Sequence, residues 1–211
     1  METKVSDSQE VKESPPSLPS ETKYQALPLV IALHREPILD KILSNMIRFE
    51  NMFTDYQKND ETRKRSVVAN FMKPDSLTWE VWKLDAASLP VDLVGILHLS
   101  EIRLGQDAIA HYVFFDEKLS GKTNLINTVI DWAFEDHPES GWEALNRITV
   151  MVPDMAFALA RHARRYLGFG GPFTYKIGRK SVQLEGIKRN AIRWHGQKRD
   201  LLFMGRLNAS S

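Results

Sequence analysis

Apolar side chains recur along this chain at two different spacings, and the change of spacing divides it. Ile38, Leu39, Ile42, Leu43, Met46 and Ile47 repeat at the interval of a helix with one buried face, and Pro37 suits its first position. Leu125, Ile126, Val129, Ile130, Ala133 and Phe134 predict a second helix from about Thr123 to Glu135. Ala156, Leu159, Ala160, Ala163 and Leu167 predict a third, which Asp154 can cap and Gly168 can end. Between the first two helices the pattern becomes that of strands. Leu77–Leu84, Leu93–Leu99 and Ala108–Phe115 are rich in aromatic and β-branched residues. Turns at Asp85–Pro90 and Gly105–Asp107 join them into an antiparallel meander. Pro28–Leu33 and Ile148–Val152 read as further strands. Val182–Trp194 and Leu201–Leu207 read as a closing hairpin about His195–Gln197. The charged stretch Asp55–Arg65 reads as a solvated helix end or loop, followed by a small apolar cluster of Val67, Val68, Phe71 and Met72.

This order predicts an α/β (α+β) domain, a mixed, mostly antiparallel sheet flanked by helices. Residues 1–26 carry few large apolar groups, with Pro15, Pro16 and Pro19 among Ser and Glu. Such a stretch buries too little surface to offset its ordering entropy, so a disordered polar tail is expected there. The domain is expected over 27–207, with a short tail at 208–211.

Composition narrows the chemistry. The 211 residues, 43% hydrophobic, suffice for an ordinary core, and the absence of cysteine excludes disulfides, thiolate metal sites and a cysteine nucleophile. No apolar run approaches the ~20 residues that span a bilayer, and the acidic residues near the start fit neither a secretory signal nor a transit peptide. A soluble, cytoplasmic protein is expected, with no membrane partner. None of the six histidines has the i, i+4 spacing of a helical metal site, so no metal is expected. Between Lys176 and Arg206 nine Lys/Arg face only Glu185 and Asp200. Such charge attracts phosphate. A net charge of +1 and the lack of a nucleic-acid motif nevertheless disfavour nucleic acid as partner.

The most informative segment is the strand-to-helix join at 112–124. A loop that opens a helix offers free amides and the positive end of the helix dipole, which suits phosphate. Ser120, Gly121, Thr123 and Asn124 fit such a loop, and Lys118 and Lys122 add charge. A nucleoside-triphosphate loop would need a glycine five positions before Gly121, where Asp116 stands. His111, on the strand that leads there, is the best-placed group for proton abstraction near neutral pH; Glu101 and Glu185 are weaker candidates.

Element order and several residues together resemble the GNAT superfamily of acyl-coenzyme A-dependent N-acyltransferases, nearest the branch that acetylates ribosomal-protein N-termini and small amines. Glu185-Gly-Ile-Lys-Arg189 with Gly196, Asp200 and Leu207 is similar to that branch's final hairpin, and Leu167-Gly-Phe169 to its Leu-Gly-Phe signature. Gly95, Leu99, Ile102, Ala110 and Tyr112 resemble its third and fourth strands, and Asp131-Trp-Ala-Phe134 its helix after the pyrophosphate loop. The resemblance implies a splayed sheet with acetyl-coenzyme A as co-substrate between the fourth and fifth strands. It places pantetheine along the backbone of Val113, Phe114 and Phe115, and the diphosphate on the loop from Lys118 to Asn124.

The implied reaction is attack of an amine on a thioester, with a base and an acid, for which His111 and Tyr166 are the candidates. Departures accompany the likeness. The family's asparagine falls on Phe157 and its acid tyrosine on Arg164, two positions before Tyr166. One loop register puts Lys118, Gly121 and Thr123 on the fixed positions, another puts Ser120 and Lys122 on the small ones. The segment 170–178 looks like an insertion, a loop whose Phe173 and Tyr175 could line the acceptor side. Two functions stay open: acetyl transfer to a primary amine of a protein or small molecule, or a GNAT-fold module without catalysis. The latter would dock in an assembly, for example a phage one, through the tail or the C-terminal hairpin.

Overall fold

The computed structural model describes residues 24–28, 35–47, 53–115 and 122–209. Its seven-stranded sheet has the order β1-β2-β3-β4-β5-β9-β8, formed by β1 (Tyr24–Pro28), β2 (Leu77–Leu84), β3 (Pro90–Arg103), β4 (Asp107–Phe114), β5 (Arg147–Pro153), β8 (Gly186–Trp194) and β9 (Gln197–Leu207). Every pairing is antiparallel except β4 with β5. A separate hairpin joins β6 (Phe173–Ile177) to β7 (Lys180–Leu184).

Side chains alternate across a strand, so β3 and β4 feed two cores. On one face α1 (Arg35–Ile47), α2 (Asp55–Lys58) and α3 (Glu61–Ala69) lie over the sheet. Ile42, Leu43, Met46 and Val68 pack there with Leu93, Ile96 and Phe115. On the other, α4 (Thr123–Ala133) and α5 (Phe157–Tyr166) set Leu125, Ile126, Val129 and Ile130, and Ala160 and Ala163, against Leu97, Leu99, Ile148 and Leu202. Each fully buried Leu, Ile or Val contributes about 1.5–3 kcal/mol.

The meander, α4, β5 and α5 match expectation. Gly168, at φ +72, follows α5 as a left-handed stop. Other expectations need correction. β1 opens at Tyr24, inside the stretch assigned to the tail, because Ala26 is fully buried against β2. Residues 1–23 lie outside the described residues, as does all but Pro28 of the strand expected over Pro28–Leu33. The charged stretch from Asp55 forms α2 and the start of α3. Its Asp55 carboxylate accepts from the His195 and Gly196 amides at 2.7 Å, and these bonds hold its pKa below the usual range. Asn208 belongs to the domain: its side-chain amide donates to the Phe134 and Leu145 carbonyls at 2.8 and 3.1 Å.

The segment taken for a loop is β6, and the strand expected over 182–194 divides at Glu185 into β7 and β8. Glu185 ion-pairs with Arg147 while its amide donates to the Phe203 carbonyl at 2.8 Å, so the chain is pinned to both neighbours at that point. Gly171 allows the crossing: a Cβ there would meet the backbone of Leu184 and Glu185 at 2.2 Å.

Candidate functional site

β4 and β5 pair from Asp107–Arg147 to Ala110–Val150, and beyond that point they part. Parallel strands that separate leave main-chain donors and acceptors facing each other across a gap. A cavity of about 1080 Å³ occupies it. Ala110 to Phe114 form one wall and Val150 to Pro153 the other. Met46 of α1 lines it, as do Leu159 and His162 of α5. Because α1 and α5 lie on opposite faces, the gap runs through the sheet, and two reactants can approach a common point from opposite sides. Phe157, Phe173 and Tyr175, three bulky side chains of the neighbouring segments, do not line it. Phe157 is buried in the α4–α5 core, Phe173 is 63% exposed, and Tyr175 packs half-buried against that core.

His111 sits one residue past the split. Its Nε2 lies 3.0 Å from the Ser100 hydroxyl, and its ring is 5.6 Å from that of His98, its cross-strand partner. Thr78 spends its one hydroxyl proton on the Phe71 carbonyl at 2.7 Å, so His98 Nδ1 must donate to Thr78 at 2.8 Å. That fixes the His98 tautomer. Burial, then the neighbouring His111, brings the His98 pKa down to about 3. Burial likewise pushes His111 down, so both rings are neutral at pH 7 and His111 can accept a proton. The pairing of His98 with His111 was accessible to sequence reasoning, since a hairpin about Gly105 sets the two opposite each other.

Val113 and Phe114 line the gap, whereas Phe115 turns into the α1–α3 core and its amide donates to the Val94 carbonyl at 2.8 Å. Lys118, Ser120 and Gly121 lie outside the described residues. Thr123 and Asn124 form the first turn of α4, where amide donors lack helical acceptors. Lys122 differs from expectation. Its side chain is fully buried, with the ammonium over the rings of Tyr24 at 5.1 Å and Phe114 at 4.9 Å. Cation–π attraction draws it beneath β1 and β4, so it lends the loop no surface charge.

Tyr166 lines the cavity, half-exposed, with its ring 5.1 Å from that of His162. Of the two residues that the resemblance sets against the family's asparagine and tyrosine, Phe157 lies in the core and Arg164 is exposed. Glu101 lies exposed on the irregular end of β3 and Glu185 is engaged with Arg147, so neither is a base in the gap. Sequence reasoning passed over two wall residues, Tyr112 and His162. The Tyr112 phenol oxygen and His162 Nε2 are buried with no hydrogen-bond partner, and burial raises the phenol pKa and lowers that of the imidazole. No periodicity signals such atoms. Among the described residues no group of three metal-ligating side chains occurs, and no helix is long and apolar enough to cross a membrane.

No family model and no curated protein matches the chain. Solved structures do. An acetyltransferase from Salmonella typhimurium that modifies the N-terminal serine of ribosomal protein L7/L12 is 12% identical. The match covers 91% of this chain and 99% of that one, with a TM-score of 0.62. RimL, a ribosomal L7/L12 alpha-N-protein acetyltransferase solved with coenzyme A, is 13% identical over 93% and 100% of the two chains, with a TM-score of 0.61. A dodecameric spermidine N-acetyltransferase from Vibrio cholerae is 17% identical over 89% and 95%, with a TM-score of 0.57. With β4 and β5 parted in a mostly antiparallel sheet and helices on both faces, the chain has the fold of the GNAT acetyltransferases.

Proposed function

We propose that the chain transfers an acetyl group from acetyl-coenzyme A to a primary amine. The observation that carries this reading is the open gap between β4 and β5, followed in the chain by the amide-rich start of α4. The residues present suit the co-substrate. Past Ala110 the β5-facing edge of β4 has no strand partner among the described residues, so its main chain can bond the amides of a pantetheine arm. The cavity is long enough to reach both faces of the sheet, and the first turn of α4 can receive a diphosphate.

Acetyl-coenzyme A supplies an acyl carbon activated as a thioester. Neutral His111 accepts the proton that the attacking amine must lose as the C–N bond forms. The Ser100 hydroxyl holds the ring, and burial keeps it and the His98 ring behind it uncharged. Tyr166, on the opposite wall, donates a proton to the sulfur as the C–S bond breaks. The parted strands confine the reactants, which converts an encounter into a positioned reaction. A non-catalytic binding module is the second reading, favoured by the departures at Phe157 and Arg164 and by the burial of Lys122.

Calorimetry with acetyl-coenzyme A, followed by thiol release with amines, separates them. Binding with turnover is expected. Binding without turnover for any peptide or polyamine selects the module, and no binding at millimolar ligand removes the transfer reading.

A further inference from the structure

The even charge of the whole chain hides an uneven distribution. Between residues 157 and 184 there is no Asp or Glu, yet Arg161, Arg164, Arg165, Lys176, Arg179 and Lys180 fall there; over the rest of the chain acids outnumber bases. All six cations are exposed and make no ion pair among the described residues. Other cations behave differently: Arg189 pairs with Asp200 at 2.5 Å and Arg206 with Asp131 at 2.7 Å. Three of the six stand on α5 and three about the Gly178 turn of the β6–β7 hairpin. The two elements adjoin, since β7 packs on α5. Arg164 also lies against Gly170, just ahead of the hairpin, where a Cβ would meet its guanidinium at 3.0 Å. On the same hairpin Phe173 is 63% exposed, although its cross-strand partner Leu184 is fully buried.

Like charges without counter-charges raise the local potential, which a polyanion relieves. An acidic protein segment would use the charge alone. The bare aromatic ring offers more, a surface on which a base can stack. We propose that α5 and the β6–β7 hairpin bind single-stranded nucleic acid, the cations holding phosphates and Phe173 stacking on a base. Both contacts use what every nucleotide carries, so binding is independent of sequence. A duplex, whose bases stack on one another, offers the ring no face. The net charge of +1, which disfavours a nucleic-acid partner, averages this surface with acidic regions elsewhere. The inference stands apart from the acetyl-transfer reading and adds a partner to it.

The test uses the full chain with end-labelled oligo(U), oligo(dT) and a DNA duplex of equal length, read by fluorescence anisotropy. The single strands are expected to bind about tenfold more tightly than the duplex, and their ratio shows whether RNA or DNA is preferred. Affinity is expected to fall steeply between about 0.05 and 0.2 M salt. The variant K176Q/R179Q/K180Q should weaken binding by about tenfold or more and lower the log–log salt slope by about 2, as counterion release at three lost phosphate contacts requires. Phe173→Ala should weaken binding by about tenfold with the slope unchanged, a split that charge attraction alone does not produce. Thermal melting checks that the variants fold. Arg161→Gln, on α5, serves the same end if the hairpin variant does not, with a slope lowered by about 0.7. No binding at the lowest salt, or variants that bind as the unmodified chain does, would overturn the proposal, as would a duplex bound as tightly as the single strands. Polyglutamate of equal length bound as tightly would overturn it in favour of an acidic protein partner. Displacement of the strand by saturating acetyl-coenzyme A would overturn it by assigning the cations to the co-substrate.

Discussion

The two ends of the β4–β5 seam are made of similar residues and serve opposite ends. From Asp107 to Ala110 the strands are hydrogen-bonded, Ala108 and Ile148 are buried, and Arg103 grips Asp107 at 2.6 Å. From His111 onward the same strands face each other across a cavity. The closed end supplies cohesion. The open end gives up several main-chain bonds, a deficit tolerable only where solvent or a ligand satisfies those groups. Stability and binding are thus separated along a single pair of strands, within a few residues of one another.

Substitutions at the two ends should divide accordingly. The largest effect is expected for His111→Ala, which should lower turnover by about 100- to 10,000-fold while sparing acetyl-coenzyme A binding in calorimetry. In the unmodified protein the rate should hold to below the usual imidazole range, because burial depresses the His111 pKa, and fall as pH drops through that depressed value. Next, Ala158→Trp at the open end should fill the gap. It should remove the stabilisation of about 4 kcal/mol that a thousandfold saturating ligand confers, with unliganded stability, read by thermal melting, unchanged within about 0.5 kcal/mol.

At the closed end Ile148→Ala should do the reverse. Denaturant unfolding should show a loss of about 3 kcal/mol for this fully buried side chain, with ligand affinity retained. A smaller effect should come from His98. Its folded pKa, about 3, lies below the unfolded value near 6.5, so the unfolded chain binds more protons between those limits. Stability should therefore decline as pH falls through that window, by up to about 1.4 kcal/mol per pH unit from this group. His98→Gln should flatten the slope, and an unchanged slope would place the coupling elsewhere.

Much of this architecture was legible in the sequence. The strand-to-helix join, the meander and the apolar stripes of α4 and α5 follow from periodicity, because one buried face imposes a repeat of two or of 3.6 residues. His111 could be singled out as a titrating group on a strand that lines the gap. The family's Glu-Gly and Asp positions could be recognised without their purpose: Glu185 holds Arg147, while Asp200 accepts from the Asn190 amide at 2.9 Å and takes Arg189, which together keep its carboxyl ionised. Lys122 misled, since a lysine in a polar loop reads as solvated charge, whereas the fold buries it with its ammonium over the rings of Phe114 and of Tyr24, the latter from a strand distant in sequence. The β6–β7 hairpin was hidden for a similar reason, its glycines reading as loop while Gly171, just before it, lets the chain cross Leu184.

By itself, then, the chain determined which segments become helix or strand and which faces turn inward, because those choices depend on neighbours a few residues away. Tertiary structure alone decided that β4 and β5 pair for four residues and then part, and that Lys122 is buried with its ammonium over the ring of Tyr24. Each of these depends on the packing of elements far apart in sequence, where no local repeat carries the information.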